Sequence, residues 1–175
     1  MTLKWNLERY IELLKKFKNY DYLKEYERDP TGQSIDPELF ECNFYENCIQ
    51  AYFEYKDCQR YSTILHSFLA YEIDIERLTN KFILLRRKHF DLTEKTIEKI
   101  KKSIDLSLPS EELDLQIEWE PEFQILSDKI DYLYQMLDSE VYYFDYERNY
   151  KDKFSINMYV QIMIYERISI FKKLS

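Results

Sequence analysis

The chain has 175 residues, 45% of them apolar and 33% charged, and carries a net charge of −8. That length can bury a substantial core, and that balance excludes a disordered chain. Its single glycine, Gly32, excludes the phosphate-binding loop and the dinucleotide fingerprint, both of which need several, and argues against an all-β fold with its many tight turns.

Asn6 caps a first helix on which Leu7, Tyr10, Ile11, Leu14 and Phe17 recur at helical spacing. The clearest loop is "RDPTGQSIDP", residues 28–37, which holds two prolines and the glycine. Asp36-Pro37-Glu38 then starts a second helix with an N-cap, a first-turn proline and a first-turn acid. Leu39, Phe40, Phe44, Cys48, Ala51, Tyr52 and Tyr55 supply its apolar face.

Ile64, Phe68, Tyr71, Ile75, Leu78, Phe82, Leu85 and His89 step alternately by four and three residues. This heptad seam predicts one long helix, packed antiparallel in a bundle or paired as a coiled-coil homodimer. Asp91 and Glu94 resemble the capping pair of a further helix lined by Ile97, Ile100 and Ile104.

The stretch "LPSEELDLQIEWEPEF", residues 108–123, breaks the helical pattern. Leu113, Leu115, Ile117 and Trp119 alternate with Asp114, Gln116 and Glu118, which predicts a short extended segment near 113–119. After Pro121 a heptad-like stripe of Phe123, Leu126, Ile130, Leu133 and Leu137 restores the helix. The last predicted helix, Phe154 to Phe171, is apolar around most of its circumference and is expected at the centre of the core rather than in a membrane. The whole chain reads as one mainly α domain, 1–175, a bundle of about five to six helices. With no apolar stretch behind a basic start, a cytoplasmic protein is expected.

The usual chemistries find little support. Cys42, Cys48, Cys58, His66 and His89 match no zinc spacing, and neither histidine has the glutamate three residues earlier that bundle di-iron sites require. No metal, no cofactor and no catalytic residue is assigned. A Tyr- and carboxylate-rich cleft around Tyr142, Tyr143, Asp145, Tyr146 and Glu147 is the place where an unrecognised enzyme site would lie. The acidic balance opposes direct nucleic-acid binding. Residues 81–102 are locally basic, with eight Lys and Arg against three acids, and Arg86, Arg87 and Lys88 form the candidate basic patch.

The charge is concentrated. From Ser103 to Asp128 there is no Lys or Arg but eight acids, so the remainder of the chain balances at 25 against 25. An acidic recognition face is therefore expected, with Glu111, Glu112, Asp114, Glu118, Glu120 and Glu122 as its charges and Trp119 as its aromatic anchor. The expected function is non-enzymatic: an acidic inhibitor, such as an immunity protein, antitoxin or phage-encoded blocker, that masks a basic surface of a partner protein such as a nuclease. The alternative is an assembly subunit that self-associates through the 64–89 seam.

Overall fold

A computed structural model describes residues 4–21, 24, 27, 36–106, 117 and 119–137. The predicted last helix and the Tyr142–Glu147 cleft lie outside these residues, as do most of the 28–37 loop and most of the 108–118 stretch. Five helices and no strand occur among the described residues, so the protein is a mainly α bundle. The helices are α1 (Leu7–Lys16), α2 (Pro37–Lys56), α3 (Cys58–Leu69), α4 (Ile75–Asp105) and α5 (Pro121–Leu137).

The helix starts follow the sequence signals. The Asn6 side chain accepts from the backbone N–H of Arg9, Asp36 accepts from Glu38, and Asp74 accepts from Arg77. Pro37 stands in the first turn of α2, where its missing N–H costs nothing.

α2 is the central helix and packs against each of the other four. It buries Cys42, Tyr45, Cys48, Ile49, Ala51, Tyr52 and Glu54, positions spread around most of its circumference. The apolar face read from sequence was thus too narrow. It omitted Tyr45 and Ile49 and included Phe40, which is 64% exposed.

The heptad seam is not one helix. Its spacing runs unbroken across a turn at residues 70–74, where α3 ends and α4 folds back beside it. Tyr61, in the first turn of α3, reaches Phe82 and His89 well along α4, so the two helices are antiparallel. The turn is a Schellman motif: the N–H of Glu72 donates to the carbonyl of Ser67, and that of Tyr71 to Phe68. Tyr71 holds the left-handed position with φ 59°, a place glycine usually takes. Leu78, Phe82, Leu85 and His89 of the seam are buried within this chain.

α4 is correspondingly longer than expected at its other end. Asp91 and Glu94 do not start a helix; they are exposed positions inside a continuous one of 31 residues, roughly 46 Å at 1.5 Å per residue. That length serves two apolar clusters. One joins Tyr61 and Leu65 of α3, Leu78, Phe82 and Leu85 of α4, and Leu126, Ile130, Leu133 and Leu137 of α5. The other joins Tyr10 and Leu13 of α1, Cys42, Tyr45, Ile49, Ala51 and Tyr52 of α2, Ile100 of α4, and Ile117 and Phe123. Between them the buried stripe of α4 turns polar, through Arg86, His89, Thr93 and Thr96.

The first helix is tied to the second by charge as well as packing. The Arg9 fork places Nε 3.1 Å and Nη2 2.9 Å from the two oxygens of Glu41, with Glu38 2.6 Å from Nη2. Lys16 adds ion pairs to Asp36 and Glu38. These pairs are partly exposed to solvent, which screens them, and they orient α1 more than they stabilise it.

The turn at Tyr71 gives a clean test. Tyr71 is 86% exposed, so removing its ring costs little packing. Tyr71→Gly is expected to stabilise the protein by up to about 1 kcal/mol in urea unfolding, because it relieves the left-handed strain. In an unbroken helix the same change would destabilise by about as much.

Candidate functional site

The acidic stretch is described at Ile117, Trp119 and Glu120, and the helix that follows begins at Pro121. Ile117 is buried in the cluster of α1, α2 and α4. Trp119 packs edge-on against Phe44 of α2 at 5.5 Å between ring centres, and Phe123 stacks on Tyr55 at 3.8 Å. Glu120 and Glu122 are exposed. Of the apolar side of the alternation, Ile117 and Trp119 are described and both pack on the bundle; its polar members Asp114, Gln116 and Glu118 lie outside the described residues. Glu111 and Glu112 lie outside them as well.

The acidic surface continues onto α5. Ile125 and Tyr132 are about half exposed, and seven residues apart they share one side of the helix. Glu122 and Asp128, both exposed, lie three residues to either side of Ile125 and flank it. The result is an aliphatic and aromatic strip bordered by the carboxylates of Glu122 and Asp128, with Lys129 between Ile125 and Tyr132 on the same side.

The candidate basic patch does not form one face. Arg87 is exposed, but Lys88 holds Asp57 at 2.8 Å and Arg86 is buried at 3% exposure. Arg86 pairs with Glu54 of α2, itself fully buried, and with Asp131 of α5 at 2.9 Å. Gln50 donates to Glu54 at 3.0 Å and Gln135 to Asp131 at 2.8 Å, so neutral amides extend the network at both ends. The guanidinium also lies over the rings of Phe90, at 4.6 Å, and Tyr134, at 5.8 Å. Burial pulls the Arg86 pKa down, and Asp131 pushes against that shift. A small polar cavity of about 260 Å³ opens beside this group, lined by residues that include Gln50, Gln124, Ser127, Asp128 and Asp131.

The helix α3 end of the molecule holds a second buried polar chain, which the sequence spacing gave no reason to expect. The Tyr61 hydroxyl lies 2.9 Å from His89 Nδ1, and His89 Nε2 lies 3.1 Å from Asp57 Oδ2. With His89 neutral and protonated on Nε2, the imidazole donates to Asp57 and accepts from Tyr61. Asp57 also receives Lys88 at 2.8 Å and Arg60 at 3.4 Å. Burial opposes its charge, yet the bonds from Lys88 and His89 outweigh burial and hold its carboxyl at about 2.

The order Asp–His–Tyr has the outline of a catalytic relay but not its accessibility. Tyr61 and His89 are both buried, and burial drives the Tyr61 hydroxyl pKa well above that of a free phenol. Tyr61 is 2% exposed among the described residues and burial opposes its ionisation, and the hydrogen-bonded group joins α3, α4 and the α2–α3 junction as a polar strut. The cysteines are equally unsuited to nucleophilic work. Burial raises the Cys42 thiol to about 11 and the Cys48 thiol to about 12. His66 is exposed. Among the described residues no three metal-ligating side chains gather at one place, and no helix is long and apolar enough to cross a membrane.

Comparison with protein-family models, with curated proteins and with solved structures found no match.

The strut predicts a pH dependence. Burial lowers the His89 pKa below its ordinary 6.5 despite the opposing pull of Asp57. The unfolded chain therefore takes up a proton near pH 6.5 that folded His89 refuses, so stability is complete above that value and falls as pH drops below it. The loss should approach about 1.4 kcal/mol per pH unit at most, read from urea unfolding between pH 7 and 5. His89→Gln should be less stable at pH 7 yet show a flatter slope over that interval; an unchanged slope would assign the titration elsewhere.

Proposed function

We propose that this protein is a non-enzymatic, protein-binding inhibitor, of the kind represented by immunity proteins, antitoxins and phage-encoded blockers. Its acidic face covers a basic surface of a partner, such as the active cleft of a nuclease. The observation that supports this reading is the way the acidic stretch is held. Ile117 and Trp119 spend its apolar side on the bundle, and Glu120 and Glu122 remain outside. The Glu120 and Glu122 carboxylates, fixed beside the anchored Ile117 and Trp119, meet a partner without the ordering cost that a disordered tail would incur on binding. The α5 strip of Ile125 and Tyr132 between Glu122 and Asp128 extends the same surface.

The field reinforces the contact. The segment 103–128 carries eight acids and no base, in a chain that is otherwise balanced. Such a concentration accelerates encounter with a cationic surface and rejects anionic ones, in a salt-dependent manner.

The test uses paired baits. Wild-type protein and the variant Glu120→Lys/Glu122→Lys/Asp128→Lys are immobilised and exposed to host lysate, and the captured proteins are compared by mass spectrometry. The substituted positions are exposed, so thermal unfolding should confirm that the variant folds. A basic protein retained by wild type and lost from the variant is expected. With the purified partner, association should slow by roughly tenfold or more and become less salt-sensitive. Identical captured proteins on both baits would overturn the assignment of this face.

A further inference from the structure

One surface of the opposite character remains. The groove between α3 and α4 has a volume of about 450 Å³ and is lined by Arg60, Thr63 and Ile64 from one helix and Lys81, Leu84, Leu85 and Lys88 from the other. Its floor is aliphatic, and Leu84 is 68% exposed. Its rim is cationic. Asp57 engages Arg60 and Lys88, while Lys81 is exposed and adds a third positive charge. One carboxylate among these three cations leaves the groove positive in a protein whose net charge is −8.

We propose that this groove seats the acidic outer face of α5 from a second copy of the same chain. The two surfaces are complementary in sign and in pattern. On α5 an exposed aliphatic side chain, Ile125, stands between Glu122 and Asp128. In the groove an exposed aliphatic side chain, Leu84, stands among Lys81, Lys88 and Arg60. Carboxylates facing ammonium and guanidinium groups set the register, and the leucine and isoleucine supply the apolar contact that charge alone does not. Leu78, Phe82 and His89 of the heptad seam are buried within each chain, while Ile64 and Leu85 of the same seam line the groove, so self-association proceeds along one edge of the seam. Two copies can exchange both contacts about a two-fold axis and close as a dimer, or join head to tail. In the head-to-tail case each added copy leaves one groove and one acidic face open, and growth stops only where a ring closes.

The inference rests on the reading of the α5 acids as a recognition surface, and the experiment keeps the two separable. Sedimentation velocity is run on the full chain over a range of concentrations, at low and at high salt. The wild-type mass is expected to rise with concentration and to fall in high salt. Two variants divide the contact. Lys81→Glu/Leu84→Asp spoils the groove and leaves α5 intact; Glu122→Lys/Asp128→Lys spoils α5 and leaves the groove intact. All four positions are exposed, so matched thermal unfolding should confirm both folds. Each variant alone should self-associate at least about tenfold more weakly. Mixed in equal amounts they should form a dimer and nothing larger, since only one productive contact survives. A wild-type chain that stays monomeric throughout, variants that associate as wild type does, or a mixture that stays monomeric would each overturn the proposal. The groove variant keeps the acidic face, so capture of a basic partner by that variant would persist even if self-association failed. Loss of that capture from wild type would instead count against the inhibitor reading.

Discussion

A guanidinium that is 3% exposed at the middle of a bundle must be answered by carboxylates, and the packing of three helices follows from how Arg86 is answered. Glu54 comes from α2, Asp131 from α5, and Arg86 itself from α4. α2 and α4 cannot slide along each other by one turn without leaving Glu54 buried alone, whereas Asp131 is 43% exposed and ties α5 less strictly. Apolar contacts between helices tolerate such slippage because they are nearly non-directional. The buried charge pair does not, since either partner moved away is left unpaired in the interior. The register of α2 and α4 is thus specified at one layer, and the Leu, Ile and Phe residues above and below fill the space that register defines.

That layer also explains why α4 is so long. Its inward stripe begins apolar at Leu78, Phe82 and Leu85, passes through Arg86, His89, Thr93 and Thr96, and becomes apolar again at Ile100. Thr93 and Thr96 return their hydroxyls to the carbonyls of His89 and Leu92, so they need no partner from another helix. Arg86 and His89 do need partners, and each fixes a different neighbour: α2 and α5 for the arginine, the α2–α3 junction and α3 for the histidine. Two apolar clusters joined by a polar middle form a scaffold whose outer surfaces are set at defined positions. Those surfaces are the acidic face running from Glu120 onto α5 and the cationic groove between α3 and α4.

Much of this was legible in the residues. Capping at Asn6 and Asp36 and the stripe of α5 follow rules that depend on a few neighbouring positions. The turn at 70–74 was not legible, because the four-three spacing of the seam survives it and the left-handed position is filled by Tyr71 rather than a glycine. Only Asp74, an N-cap ahead of Ile75, marked it. The candidate basic patch failed for a related reason. Reading Arg86 with its charged neighbours hides that it falls four residues after Phe82 and three before His89, on the buried stripe. Glu54 falls three residues after Ala51 in the same way. A charge on an apolar stripe is a request for an opposite charge on another, and that pairing was available from the pattern. The Asp57–His89–Tyr61 chain was beyond it, since it depends on the antiparallel return of α4 beside α3.

The central claim is that the Glu54–Arg86 pair sets the helix register, and a double-mutant cycle in urea unfolding tests it most directly. Arg86→Met alone leaves the fully buried Glu54 unanswered and should cost about 3–5 kcal/mol, while Glu54→Leu alone leaves Arg86 still paired with Asp131 and should cost less. The double variant, in which apolar groups replace both charges, should be more stable than either single variant, giving a coupling energy of several kcal/mol. Additive losses, with the double variant less stable than both, would contradict the account and place the two side chains in independent roles.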